Sequence, residues 1–190
     1  PRRRSGMRRS PPGSTRVSGP GQNLAASMLA DWVSPMAEVI ARSLAAERGV
    51  VELQVSSAGT SAWDGASASD GALLVAMEHG LDLGTHRARP LSRDAVASAD
   101  LILVMGPHHR ERVLALGGEG RTSLLTDFAA RSTEGRPVQD PFGGDLEIYR
   151  ATYEELTQEI ARVLDRLVSE GSGGAAGTSG PSSDTPPPRG

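Results

Sequence analysis

The sequence predicts an α/β fold, a three-layer sandwich on a small, mostly parallel sheet. Three observations carry this. Strand-like and helix-like patterns alternate through the middle of the chain. Leu101-Ile102-Leu103-Val104-Met105 is an unbroken apolar run, as expected of a strand buried on both faces of a parallel sheet. From Leu146 to Val168, Ile148, Tyr149, Thr152, Leu156, Ile160, Val163, Leu164 and Leu167 recur along one helical face.

The elements follow in order. Between Pro35 and Arg48, Met36, Val39, Ile40 and Leu44 return at helical spacing. Ser34 is placed as the cap of that helix, Pro35 as its first residue, and Gly49 closes it. Val50 to Val55 alternates and is β-branched, so it reads as a strand. Ser56 to Ala68 is rich in small residues and reads as a loop. Helices are predicted at Asp70–His79, Ser92–Ala99 and Arg110–Leu116, and a short strand at Ser123–Leu125. Asp140-Pro141-Phe142-Gly143-Gly144 is a turn-rich loop.

The two ends differ from this middle. Residues 1–22 are rich in Arg, Pro, Gly and Ser, and residues 171–190 in Gly, Ser, Pro and Thr. Neither can bury enough apolar surface to offset the entropy of ordering, so both are expected to be disordered around one domain at 23–170. The N-terminal stretch has the composition of a transit peptide, but Pro11, Pro12 and Pro20 break the amphipathic helix such a peptide needs.

Residues 31–170 hold 13 Arg against 22 Asp and Glu. An acidic body without a basic face argues against nucleic-acid binding. No apolar run approaches the ~18 residues of a membrane span, so no membrane association is expected, and a cytoplasmic location is. All 20 basic residues are Arg, and there is no cysteine, which excludes disulfides and thiolate metal sites. His108-His109 beside Glu111 could suggest a metal, but adjacent helical residues point apart, so these histidines are expected at the surface. His86 is expected to make a structural hydrogen bond, and Tyr149 and Tyr153 to pack. No cofactor is called for.

Two places could carry chemistry. The helix start at Ser34-Pro35 offers free N–H groups and a dipole to a phosphate, although Ser-Pro is also an ordinary cap. Asp140 ahead of Pro141 could serve as a general acid in a loop, although Asp-Pro is also an ordinary turn.

Further segments bear on the choice: Ser34-Pro35-Met36-Ala37-Glu38, Ser56-Ser57-Ala58-Gly59-Thr60, Thr85-His86-Arg87-Ala88-Arg89-Pro90, Ala99 through Met105, and Asp140-Pro141-Phe142. In this order and spacing they resemble the low-molecular-weight protein tyrosine phosphatases and the related arsenate reductases, over about residues 33 to 168. The resemblance implies a phosphotyrosine protein phosphatase I-like fold. It implies hydrolysis of a phosphotyrosine protein or a small aryl phosphate through a phosphocysteine. In that family a strand leads into a loop of Cys, five residues, Arg, then Ser or Thr. The Cys attacks phosphorus and the Arg clamps the phosphate oxygens. Carried over by motif, Asp140 matches the general acid, Ser34 the residue after the Arg, and Trp63 and Phe142 the aromatics around the substrate.

The chain departs from that pattern where the chemistry begins. Ser27 stands at the nucleophile's position and Val33 at that of the Arg. Asp31 adds a negative charge where phosphate should sit. An isolated hydroxyl without a base is a poor substitute for a thiolate. The family's first strand is expected to be missing or degraded, because Val17 to Leu24 contains Gly19, Pro20 and Gly21, and Leu24 to Val33 reads as a helical turn or two. The switch at Val33/Ser34 is abrupt. A misread N-terminus and a genuine fusion to a new one both produce it. Three functions stay open: a phosphatase of this family, a non-catalytic relative that binds a protein or an anion, and an arsenate reductase, which needs redox cysteines this chain lacks. The oligomeric state is not legible.

Overall fold

The computed structural model describes residues 24–29, 34–50, 53–60, 63–141 and 143–172. The element order is β1 (Leu24–Leu29), α1 (Ser34–Glu47), β2 (Leu53–Ala58), α2 (Asp70–Glu78), α3 (Arg93–Ser98), β3 (Leu101–Val104), α4 (Pro107–Leu114), β4 (Thr122–Leu124), α5 (Leu125–Ala130) and α6 (Leu146–Ser172). The four strands form one parallel sheet in the order β2-β1-β3-β4.

Helices cover both faces of this sheet. On one side Met36 and Ile40 of α1, Val75 of α2, Leu125 of α5 and Leu156 and Ile160 of α6 pack against Val55, Leu103 and Met105. On the other, Val96 of α3 and Val113 of α4 pack against Ala58, Ile102 and Val104. The 101–105 run thus alternates between two cores, which is why it carries no polar residue. Tyr149 and Tyr153 are buried in the first core, as expected. None of the described helices is long and apolar enough to cross a membrane.

One expectation is overturned at the centre of the fold. The first strand is not missing: Leu24–Leu29 is β1, and it lies between β2 and β3. Its local sequence favours a helical turn, but β2 and β3 each present a row of buried backbone groups that only a strand between them can pair. That tertiary demand outweighs the low β-propensity of Ala25 and Ala26.

Smaller shifts have local causes. β2 is Leu53–Ala58, residues 51 and 52 of the predicted 50–55 strand lying outside the described residues, so Ser56, Ser57 and Ala58 belong to the sheet and not to a loop. α4 starts at Pro107, three residues before the predicted start, with Pro at its first position. α5 follows β4 directly and has too few residues to show a period. His109 is buried, against the expectation of a surface position, and its ring lies 3.7 Å from that of His108. Of the segments expected to be disordered, 1–22 lies outside the described residues, and so does 171–190 except for 171 and 172, which continue α6.

Candidate functional site

The segments that follow β1, β2 and β3 all leave the same end of the sheet. In a parallel sheet every strand presents its carboxyl end to the same side, where ligands of open α/β folds bind. β1 runs through residues 30–33, which lie outside the described residues, into α1, which opens at Ser34. β2 leads into Gly59, whose N–H donates to Arg89 O at 2.9 Å while Leu91 N–H donates back to Gly59 O at 2.9 Å. After β3, Met105 O accepts from Val138 N–H at 2.9 Å, so the strand end holds the segment that reaches Asp140. Ser34, Gly59 and Asp140 are therefore brought to one edge by three neighbouring strands.

The segment before Asp140 is anchored further. The Thr126 hydroxyl donates to Arg136 O at 2.7 Å, and Gly135 N–H donates to the Asp127 carboxylate at 2.5 Å. Pro141 is buried, so the chain is pinned just after the exposed Asp140. Gly143 takes φ 76, a left-handed conformation that suits glycine. Trp63 is 83% exposed on the loop between β2 and α2. That loop is tied to the 85–90 segment by Gly65 N–H to Ala88 O and Ala88 N–H to Ala66 O, both 2.8 Å. Phe142 lies outside the described residues.

Ser27 is placed differently from a loop nucleophile. Its backbone is in register with Ser56 of β2 and Ile102 of β3, and β1 continues through Met28 and Leu29. Only residues 30–33 separate β1 from α1. In the family pattern the loop starts at the nucleophile. Here three residues from that position onward belong to a paired central strand.

Below the edge lies a buried polar cluster that the sequence reading did not assemble. Glu38, one turn into α1, is 3% exposed. Its carboxylate accepts from the Ser57 hydroxyl of β2 and pairs with the Arg42 guanidinium at 2.6 Å. Arg42 also donates to Val55 O at 2.9 Å, covering a carbonyl on the edge strand of the sheet. His86 Nδ1 lies 3.8 Å from Glu38, too far for a direct hydrogen bond. Burial lowers the pKa of His86; the Glu38 charge opposes that, and Arg89, Arg42 and Arg87 add to it. Glu38, Ser57 and His86 come from three of the motif segments, which this cluster brings together. The signal available in the sequence was a Glu and an Arg four apart on one helix, Glu38 and Arg42.

The family model for low molecular weight phosphotyrosine protein phosphatase matches residues 32–172. The protein-arginine-phosphatase of Bacillus subtilis (strain 168) is 32% identical over 134 residues, covering 70% of this chain and 88% of that protein. The low molecular weight protein-tyrosine-phosphatase Wzb of Escherichia coli (strain K12) is 35% identical over 135 residues, covering 69% of this chain and 90% of that protein. Among solved structures, a YwlE arginine phosphatase variant with a phosphorylated active-site serine in place of cysteine superposes with a TM-score of 0.69 at 29% identity, covering 75% of this chain and 94% of that one. The match begins just before Ser34, where the motif residues begin. The chain therefore belongs to the low-molecular-weight protein tyrosine phosphatase family, as a member that contains no cysteine.

Proposed function

We propose that this chain is a non-hydrolysing member of the family that keeps the phosphatase framework and presents its substrate edge for binding. One observation carries the reading: a chain with no cysteine has no thiolate to attack phosphorus, and Ser27, at that position, is paired inside β1. Removing the nucleophile of a hydrolase costs on the order of 10⁶ in turnover. Ser34 and the first turn of α1 would face the anion, with Trp63 and Phe142 against the body of the ligand. Asp140 would stand at the leaving-group side. The ligand is then a phosphotyrosine protein or a small aryl phosphate, and a cytoplasmic location goes with that partner. The test is hydrolysis of an aryl phosphate by the purified chain, with Ser27→Ala as control. The expected rate equals the uncatalysed background for both. Turnover that vanishes in Ser27→Ala would make Ser27 a nucleophile.

A second reading has a specific support. In the YwlE arginine phosphatase variant the active-site serine carries phosphate. The Ser27 oxygen would likewise form a bond to phosphorus as the bond to the tyrosine oxygen or arginine nitrogen breaks, the hydroxyl proton passing to that leaving atom, and water would then cleave the phosphoserine slowly to inorganic phosphate. Incubation with a phosphotyrosine peptide and a phosphoarginine peptide, followed by intact mass measurement, separates the two readings. A single phosphate mapped to Ser27 supports this second one, and an unchanged mass supports the first.

A further inference from the structure

The geometry points to a second binding site, a cavity between α3 and the sheet that takes a compact apolar monocarboxylate with Arg89 as its anion partner. The inference holds whether or not the carboxyl edge of the sheet binds phosphate.

The cavity has a volume of about 220 Å³. Its floor is the sheet, at Ser56, Ala58 and Ile102. One wall is the 89–91 segment, fixed to the end of β2 by the reciprocal hydrogen bonds of Gly59 with Arg89 and Leu91. The roof is α3, whose start is fixed by Ala95 N–H donating to the Ser92 hydroxyl at 3.1 Å. The walls are thus built from anchored backbone, and the space does not depend on a loose loop.

Size and lining define the ligand. A cavity of about 150 Å³ is enough for benzene, so 220 Å³ admits one six-membered ring with a small substituent. Pro90, Leu91 and Ala95 offer the ring apolar surface above the buried Ala58, Val96 and Ile102, and the Ser56 and Ser98 side of the space is polar. Arg89 lines the same space and is exposed. Among the described residues its guanidinium makes neither a hydrogen bond nor an ion pair, whereas Arg42, Arg87 and Arg121 are all engaged by carboxylates or carbonyls. A planar guanidinium with free donors matches a carboxylate in a bidentate pair. A phosphate dianion fits less well, because one cation would leave excess charge against an apolar wall.

Isothermal titration of the full chain with benzoate tests the site, with benzamide as its neutral counterpart. Saturable benzoate binding is expected, weakened at least ten-fold both for benzamide and in Arg89→Gln. Ala95→Trp, which drives a large side chain from α3 into the space, should abolish it. Backbone amide shifts on titration should centre on Ser56, Val96 and Ile102. The absence of saturable binding would overturn the site. So would equal affinity for benzamide, an unchanged affinity in Arg89→Gln, or shifts confined to Ser34 and the Asp140 loop. Arg89→Gln changes an exposed side chain and leaves the backbone bonds at 89 in place, so the test survives if Ala95→Trp fails to fold.

Discussion

The Ser57 hydroxyl donates a hydrogen bond to the Glu38 carboxylate, joining the sheet to the first turns of α1 directly beneath the carboxyl edge. Both groups are buried, and the same carboxylate holds Arg42. Because Arg42 in turn covers Val55 O, one acid ties the helix start to the edge strand.

Removing that acid should therefore cost more than a typical surface change. Glu38→Ala leaves the Ser57 hydroxyl without its acceptor and frees Arg42 from its partner, while Arg42 keeps Val55 O. Since Arg42 is more than half exposed, its share is discounted for solvent screening. A loss of about 2–3 kcal/mol is expected, with about 1 kcal/mol for Glu38→Gln, which retains an acceptor. Urea unfolding at constant m-value measures both. A loss below about 0.5 kcal/mol for Glu38→Ala would put the cluster in the class of ordinary surface substitutions.

His86 should add a pH dependence. Its folded pKa lies below the ordinary 6.5, chiefly through burial, with Glu38 opposing. The unfolded chain therefore binds a proton at this group before the folded chain does. Its contribution is complete above the unfolded pKa and is lost as pH falls below it toward the folded value. Wild type should lose more stability than His86→Gln between about pH 7 and pH 5, the range in which histidine titrates. Parallel stability profiles for the two proteins would show that Glu38 cancels the burial effect.

Much of the fold was legible because burial writes it into the sequence. The β3 run is apolar at every position because both of its faces are covered, and α6 shows a clear stripe because one of its faces is. β1 was not legible: Leu24-Ala25-Ala26-Ser27-Met28-Leu29 has no strand pattern of its own, and its conformation comes from β2 and β3. Ser56 and Ser57 looked like a loop because they are small and polar. Ser57 is polar inside the fold because Glu38 needs a donor there. At the candidate site, Ser34 and Asp140 were found from motifs, and the segments that carry them follow the same end of the sheet. His109 and the Glu38 cluster were missed, since burial of a polar residue depends on partners distant in the chain.

Gly71 gives a steric prediction. A Cβ at this position in α2 would lie 2.5, 2.6 and 2.8 Å from three ring carbons of Tyr149 on α6. Tyr149 is buried, so the ring cannot swing into solvent. Helix propensity alone would favour Ala over Gly by about 1 kcal/mol. Overpacking opposes it with about 1–3 kcal/mol, so Gly71→Ala should be net destabilising. Combining it with Tyr149→Leu should cost less than the sum of the two single changes. Additive losses would mean that the two helices do not meet here.

Restoring the two missing side chains should not restore catalysis. Ser27→Cys with Val33→Arg supplies a nucleophile and a clamp. The phosphate loop of the family also works through consecutive backbone N–H groups aimed at one phosphate. In this chain the backbone of Ser27, Met28 and Leu29 is in register with β2 on one side and β3 on the other, so the amides the loop would need belong to the sheet. Four residues then remain before α1, one of them Asp31, whose charge repels a phosphate. The double variant is expected to hydrolyse aryl phosphate within about ten-fold of background. Replacing residues 17–33 with a strand and loop of the family pattern should raise the rate by orders of magnitude. In that repaired protein Asp140→Ala should lower kcat by about 10²–10⁴, the usual share of a general acid. A highly active double variant would instead mean that the chain can leave the β1 register at Ser27 and form the loop unaided. The barrier to activity would then be the two side chains alone, and the paired strand would carry no part of it.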